Sequence, residues 1–177
     1  MTAILQDFIS ASLELARQDF CQQASHPLLI EVWRPGRLSF QWGGTRLSRD
    51  GVEMPLARKI LREGNHLPVH PVRQKLPGPA GTVRVGRSQE NDLVVQDDTV
   101  SARHAVFHLH STGGVVDVRD VGSTNGTRVN DQKIVVGKEV VLFDGDLVAF
   151  GDVGFLFFYS AGLYDVLRAC VEAQGGR

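Results

Sequence analysis

The chain has 177 residues, a net charge of −1 and a hydrophobic fraction of 42%, which suits one domain with an extension and a sizeable core. Because the charge is near neutral, no overall basic field is available, and neither nucleic acid nor a membrane surface is an expected partner. The two cysteines lie near opposite ends of the chain, which excludes a disulfide scaffold and favours a reducing, cytoplasmic setting.

Residues 1–66 are predicted to form an α/β extension. Apolar residues recur at helical spacing from Leu5 to Phe20 and predict one helix, which His26–Pro27 ends. The runs LLIEVW and RLSFQW flank Pro35–Gly36 and predict a hairpin, and PLARKILREG predicts a short helix. Three roles stay open for this extension: it could extend the following domain, tether it, or bind a second partner, another copy of the chain included.

Residues 67–160 change in texture. Short β-rich runs alternate with turn signals such as Asn125–Gly126 and Asp144–Gly145, and no helix-length segment separates them. This pattern predicts an all-β sandwich or barrel rather than parallel βαβ units. The tail, residues 161–177, carries apolar residues on one helical face and predicts a C-terminal helix.

Polar residues stand where three of these strands meet loops. Arg87 follows TVRVG, Ser101 precedes HAVFHLH, and Thr124 and Asn125 lie in the turn GSTNGT. Each alone is more typical of an exposed side chain, a turn cap or a plain hairpin. Loops at one end of a sandwich converge, however, and a guanidinium surrounded by neutral donors suits a tetrahedral dianion better than a flat carboxylate.

The ordered set GRSQENDLVV, DDTVSARHAVF, VRDVGSTNGTRVN and LFDGDLVAFG, within residues 82–158, resembles a forkhead-associated (FHA) domain. The resemblance implies a β-sandwich that binds phosphothreonine peptides through loops at one end. The fold class expected for the chain is therefore mainly β: an FHA-type antiparallel β-sandwich with an N-terminal α/β extension and a C-terminal helix.

The resemblance also implies roles for individual residues. Arg87 would grip the phosphate, Ser101 and Thr124 would hydrogen-bond it, and Asn125 would hold the backbone of the bound peptide. Ser123 is left as the local cap of the turn. Further positions match family residues that shape or brace the loops, namely Gly86, His104, Gly126 and Asn130.

One position departs from the family pattern. Ala102 stands where the family often has Asn, Arg or Lys, so one ligand contact is missing. Arg103 could compensate if strand alternation turns it to the same side as Ser101. Selectivity for residues flanking the phosphothreonine is expected from Thr99–Val100 and from residues 131–138.

Other chemistries have weaker support. His108 and His110 have the HxH spacing that can chelate zinc, but a site needs a third ligand and none is apparent, so neither a metal nor another cofactor is expected. The expected function is a non-enzymatic phosphothreonine-binding adaptor in Ser/Thr kinase signalling, whose partners are kinase substrates or the kinase itself. The alternative is a structural scaffold that binds its partners whether or not they are phosphorylated.

Overall fold

The computed structural model describes residues 3–34, 64–111 and 114–175. The helices in this part of the chain are α1 (Leu5–Glu14), α2 (Arg17–Gln23) and α3 (Ser160–Gly175). Its strands are β1 (Ala3–Ile4), β2 (Leu28–Trp33), β3 (Pro68–Pro71), β4 (Thr82–Gly86), β5 (Leu93–Val94), β6 (Ala105–Leu109), β7 (Val116–Asp120), β8 (Thr127–Val129), β9 (Gln132–Lys133), β10 (Glu139–Val141), β11 (Leu147–Phe150) and β12 (Val153–Phe158).

These strands form two sheets that pack face to face. One sheet has the order β1-β3-β2-β12-β11-β8-β9 and the other β10-β7-β6-β4-β5. Within the described residues the pairings are antiparallel apart from the short parallel contact of β4 with β5. The predicted mainly β sandwich with a C-terminal helix is confirmed.

Strand β12 lies near the middle of the larger sheet and is buried on both faces. Phe155 and Phe157 point into the core between the two sheets, whereas Leu156 and Phe158 belong to a second apolar cluster formed with the helices. Successive side chains of a strand point to opposite faces, so the run VGFLFF can serve both clusters. The helices therefore cover the face of the larger sheet that the smaller sheet leaves open.

The N-terminal region contributes a strand to this sheet. Strand β2 pairs with β12 on one side and with β3 on the other. Leu29 faces the inter-sheet core, while Leu28, Ile30 and Val32 face the helices. Of the roles left open by the sequence, extension of the sandwich is therefore realised. The domain boundary between residues 66 and 67 stays a prediction.

The prediction of a single helix from Leu5 to Phe20 is wrong in one respect, because the structure has two helices there, α1 and α2. Leu15 adopts an extended conformation between α1 and α2, and no glycine or proline marks the break. The break turns α2 so that the ring of Phe20 packs on that of Tyr164 in α3, with centroids 5.3 Å apart. Of the predicted apolar stripe, Leu13 is left 51% exposed.

Two predicted elements of the extension cannot be compared in this way. The hairpin arm RLSFQW and nearly all of the short helix PLARKILREG lie outside the described residues.

Among the helices that the structure describes, none has both the length and the apolar character needed to cross a membrane.

Candidate functional site

Three loops meet at the end of the sandwich where β4 finishes and β6 begins. The Arg87 amide donates to the Ser101 carbonyl at 2.9 Å, which joins the loop after β4 to the loop before β6. The Thr124 amide donates to the Ser101 hydroxyl at 2.9 Å, which joins that second loop to the turn after β7. The structure therefore brings together Arg87, Ser101 and Thr124, as the sequence predicts.

Ser101 and Thr124 form a small group of neutral donors. Besides accepting from the Thr124 amide, the Ser101 hydroxyl donates to Thr124 Oγ1 at a longer 3.4 Å, and both contacts lie at the surface. Hydroxyl protons rotate freely, so both can be redirected to an arriving acceptor. The pair thus offers two hydroxyls to one ligand, while the Thr124 amide holds the Ser101 oxygen in place.

Arg87 is held beside them in a defined orientation. Its Nε donates to the Val100 carbonyl at 3.2 Å, and its Nη1 donates to Asp98 at 3.4 Å. The Arg87 side chain is 51% exposed and that of Asp98 is fully exposed, so their ion pair contributes little to stability. The remaining guanidinium N–H groups can bind an external anion in the bidentate manner that arginine favours.

His104 braces the loop that carries Ser101. It is fully buried, and its Nδ1 accepts from the Ser101 amide at 3.1 Å while Nε2 lies 3.1 Å from the Gly126 carbonyl. Because Nδ1 is an acceptor, the ring is neutral and Nε2 carries the proton that is donated to Gly126. Burial lowers the pKa of His104, although the bond to Gly126 partly opposes this. The predicted bracing role of His104 has a physical basis in these two bonds.

Asp120 organises the turn GSTNGT and was missed by the sequence analysis. Its buried carboxylate accepts from the amides of Gly122 and Ser123 at 2.8 Å and from the hydroxyls of Ser123 and Thr127 at 2.6 and 2.8 Å. Burial alone would raise the pKa of Asp120, but these bonds outweigh it and lower the pKa to about 2. Aspartate two residues before glycine is a common turn signal that could have identified it.

Ser123 is a local cap, as predicted. Its hydroxyl donates to Asp120 and accepts from the Gly126 amide at 2.9 Å. Both hydrogen-bonding directions of Ser123 are therefore used inside the turn. This leaves Thr124, the next residue, as the hydroxyl of the turn that faces the Ser101 loop.

Gly86 allows the Ser101 loop to approach the end of β4. A Cβ atom at this position would lie 2.4 Å from the Ala102 carbonyl oxygen and 2.9 Å from Asn91 Nδ2. That amide nitrogen of Asn91, which is 5% exposed, in turn donates to the carbonyls of Ala102 and Ser88 at 2.7 and 2.8 Å. Asn91 is therefore a second brace of the Ser101 loop.

Gly126 has a positive φ of 86°, which explains why glycine follows Asn125. A Cβ atom on Gly126 would lie 2.2 Å from Cε and 2.9 Å from Nζ of Lys133. The exposed Lys133 side chain on β9 therefore lies beside the turn and places a cation next to Gly126. The sequence analysis includes Lys133 only within residues 131–138, because its place beside Gly126 depends on the pairing of β8 with β9.

Asn125 and Val100 differ in detail from what the sequence suggests. The side-chain amide of Asn125 donates to the Thr99 carbonyl at 2.8 Å, so in this structure it ties two loops together. Val100 is only 1% exposed and packs in the core, which is wrong for a residue expected to select peptide side chains. Its contribution to the site is the carbonyl that orients Arg87.

Arg103 and Asn130 lie to the side of this group. Residues 101–104 are not a strand, so the alternation argument for Arg103 fails, and its guanidinium is 3.5 Å from the exposed Glu90 carboxylate. Asn130, at the far end of β8, donates to Asp146 at 2.7 Å and accepts from the Leu147 amide at 2.9 Å. It braces the turn before β11 rather than the loops that carry Ser101 and Thr124.

Arg87, Ser101 and Thr124 lie within the part of the chain that matches a known protein family. The profile of the FHA domain family matches residues 83–151. An ABC transporter ATP-binding/permease protein of Mycobacterium tuberculosis is 35% identical over 117 residues, covering 65% of this chain and 11% of that protein. The glycogen accumulation regulator GarA of Mycolicibacterium smegmatis is 42% identical over 76 residues, covering 43% of this chain and 45% of that protein.

Among solved structures, the FHA domain of an Arabidopsis thaliana hypothetical protein is 31% identical. The similarity covers 54% of this chain and 75% of that one, with a TM-score of 0.42. This chain spans less than half the length of either of the two curated relatives named above.

Proposed function

Because residues 83–151 of this chain form an FHA domain, we propose that the protein is a phosphothreonine-peptide-binding adaptor in Ser/Thr kinase signalling. The observation that carries the proposal is the meeting of a half-exposed guanidinium and two surface hydroxyls at one end of the sandwich. A phosphate dianion has several acceptor oxygens, and these donors can satisfy them together.

Each group has a separate task in this proposal. Arg87 supplies charge and a bidentate contact, while the hydroxyls of Ser101 and Thr124 turn toward the remaining phosphate oxygens. Asn125, whose carbonyl oxygen is still available after its bond to Thr99, accepts from the peptide backbone. Lys133 adds positive charge across the turn, which favours an anionic ligand over a neutral one.

The partners proposed for this adaptor are phosphothreonine-containing proteins, either substrates of a Ser/Thr kinase or the kinase itself. The ligand is bound and released unchanged, so no catalytic residue is assigned. The cytoplasmic location expected from the sequence belongs to this proposal, because protein kinases act where ATP is available.

Calorimetry with matched peptides tests the proposal. A phosphothreonine peptide selected from an oriented library should bind at least about 100-fold more tightly than its unphosphorylated form, because about 2.8 kcal/mol of charge-assisted hydrogen bonding is lost without the phosphate. The phosphoserine form should bind more weakly than the phosphothreonine form. Equal affinity for the phosphorylated and unphosphorylated peptides would contradict the proposal and favour a phosphorylation-independent scaffold.

A further inference from the structure

A second polar cluster lies on the outer face of the smaller sheet. Phe107, Val116 and Val118 face the inter-sheet core, so the alternating residues His108 and Asp117 point away from it. His108 and Asp117 are directly opposite each other on β6 and β7. Glu139 follows on β10, diagonal to Asp117, because it pairs with Arg119.

The atoms of this cluster are close together. His108 Nδ1 lies 3.0 Å from Asp117 Oδ1 and 3.8 Å from Glu139 Oε1. One ligand atom from each of the three residues lies within 4.8 Å of the other two. Metal–ligand bonds of about 2.0–2.2 Å in a tetrahedral site place ligand atoms about 3.3–3.6 Å apart. The cluster therefore already has nearly the spacing that a single ion requires.

His110 completes the surroundings of Asp117. Its Nε2 is 2.5 Å from Asp117 Oδ2, so each oxygen of this carboxylate faces one imidazole nitrogen. Asp117 is 3% exposed in its side chain, and burying a carboxylate is costly unless a positive charge or hydrogen bonds compensate it. With Glu139, two negative charges and two imidazoles converge, a combination that matches a divalent cation.

We propose that His108, Asp117 and Glu139 form a zinc site on the outer face of the smaller sheet, with His110 holding the second oxygen of Asp117. Imidazole ligands favour Zn²⁺ over Mg²⁺ or Ca²⁺, which prefer oxygen alone. Three protein ligands leave the fourth tetrahedral position for water or for a group from a partner. The two ligands besides His108 come from β7 and β10, so the ion is not chelated by the HxH pair itself.

The zinc site is separate from the phosphopeptide site. His104, which braces the Ser101 loop, directly precedes β6, and His108 lies on β6 four residues after His104. At the rise of an extended strand, four residues separate the two histidines by about 13 Å. Zinc binding and peptide binding are therefore expected to be independent, and the failure of one would leave the other standing.

The test uses the full chain without a histidine tag, ZnCl₂ as the probe and a competing chromogenic chelator. The wild-type chain should bind about one Zn²⁺ per molecule and melt at a higher temperature when zinc is present. His108→Gln and Glu139→Gln should each weaken zinc binding at least about tenfold, since even residues that only orient ligands are worth 10–100-fold. His110→Gln should weaken zinc binding by about 10- to 100-fold, because His110 orients a ligand without binding the ion.

His66→Gln is the matched control, because His66 is an exposed histidine outside the cluster, and its zinc affinity should equal that of the wild type. Glu139 is 55% exposed in its side chain, so Glu139→Gln decides the question if a change at His108 impairs folding. The proposal is overturned if the wild type and Glu139→Gln bind zinc equally, or if His66→Gln weakens binding as much as His108→Gln does.

Discussion

Replacing Arg87 by alanine should weaken phosphothreonine binding with little effect on the fold. The guanidinium is half exposed, donates to one carbonyl, and shares only a solvent-exposed ion pair with Asp98, so its loss removes little from the folded state. In the complex it would make charge-assisted bonds to a dianion. Their loss should cost about 2–3 kcal/mol, or roughly 30- to 150-fold in affinity.

Two matched variants sharpen this test. Arg103→Ala removes an equal charge from a neighbouring exposed ion pair with Glu90 and should change affinity at most about fivefold. Asp98→Asn removes the anion that competes for Arg87 and should raise affinity modestly at low salt. Calorimetric titration of one phosphothreonine peptide, with thermal melting of each variant, measures all three. The reasoning is refuted if folded Arg87→Ala binds like the wild type, or if Arg103→Ala loses as much as Arg87→Ala does.

Other expected outcomes concern the braces and the extension. Gly86→Ala should destabilise the fold by about 1–3 kcal/mol and weaken peptide binding, because its Cβ would meet the Ala102 carbonyl. Gly78→Ala is the control and should do neither, since the nearest atom to its Cβ would be 3.4 Å away. Equal melting temperatures of the Gly86→Ala and Gly78→Ala variants would contradict this prediction. Burial lowers the pKa of His104 in the folded state. The stability due to neutral His104 should therefore be fully present above the unfolded-state pKa of about 6.5 and be lost as pH falls through the folded-state pKa. Unfolding titrations of His104→Gln should show a weaker pH dependence in that window, and an unchanged pH dependence would count against the lowered pKa of His104. A fragment beginning at residue 67 lacks β2, whose four buried aliphatic side chains contribute about 6–12 kcal/mol of hydrophobic stabilisation to the fold. The fragment should therefore fail to melt cooperatively. A fragment as stable as the full chain would disprove the structural role of β2.

The sequence predicts the parts of the fold that local patterns encode. The strands of the sandwich and the positions of Arg87, Ser101 and Thr124 follow from alternation, turn residues and motif order. These residues meet because the loops after β4, before β6 and after β7 lie at one end of the sheets. Loop convergence is a general property of sandwiches and can be anticipated without coordinates.

What the sequence does not predict depends on contacts between distant segments. Local periodicity identifies β2 as a strand but cannot show that it inserts between β3 and β12. Lys133 reaches the turn at Gly126 only through the pairing of β8 with β9, and Arg103 lies beside Glu90 because the residues before β6 are not a strand. The cluster of His108, Asp117 and Glu139 likewise arises from three adjacent strands that share one face.

A crystal structure of the chain with a bound phosphothreonine peptide would test the central claim most directly. We expect the phosphate oxygens to lie about 2.7–3.0 Å from the Arg87 guanidinium and from the donors of Ser101 and Thr124, distances typical of charge-assisted hydrogen bonds. The peptide backbone should contact Asn125. A phosphate bound away from the loops that carry Arg87, Ser101 and Thr124, or a peptide held through another face of the sandwich, would contradict the account.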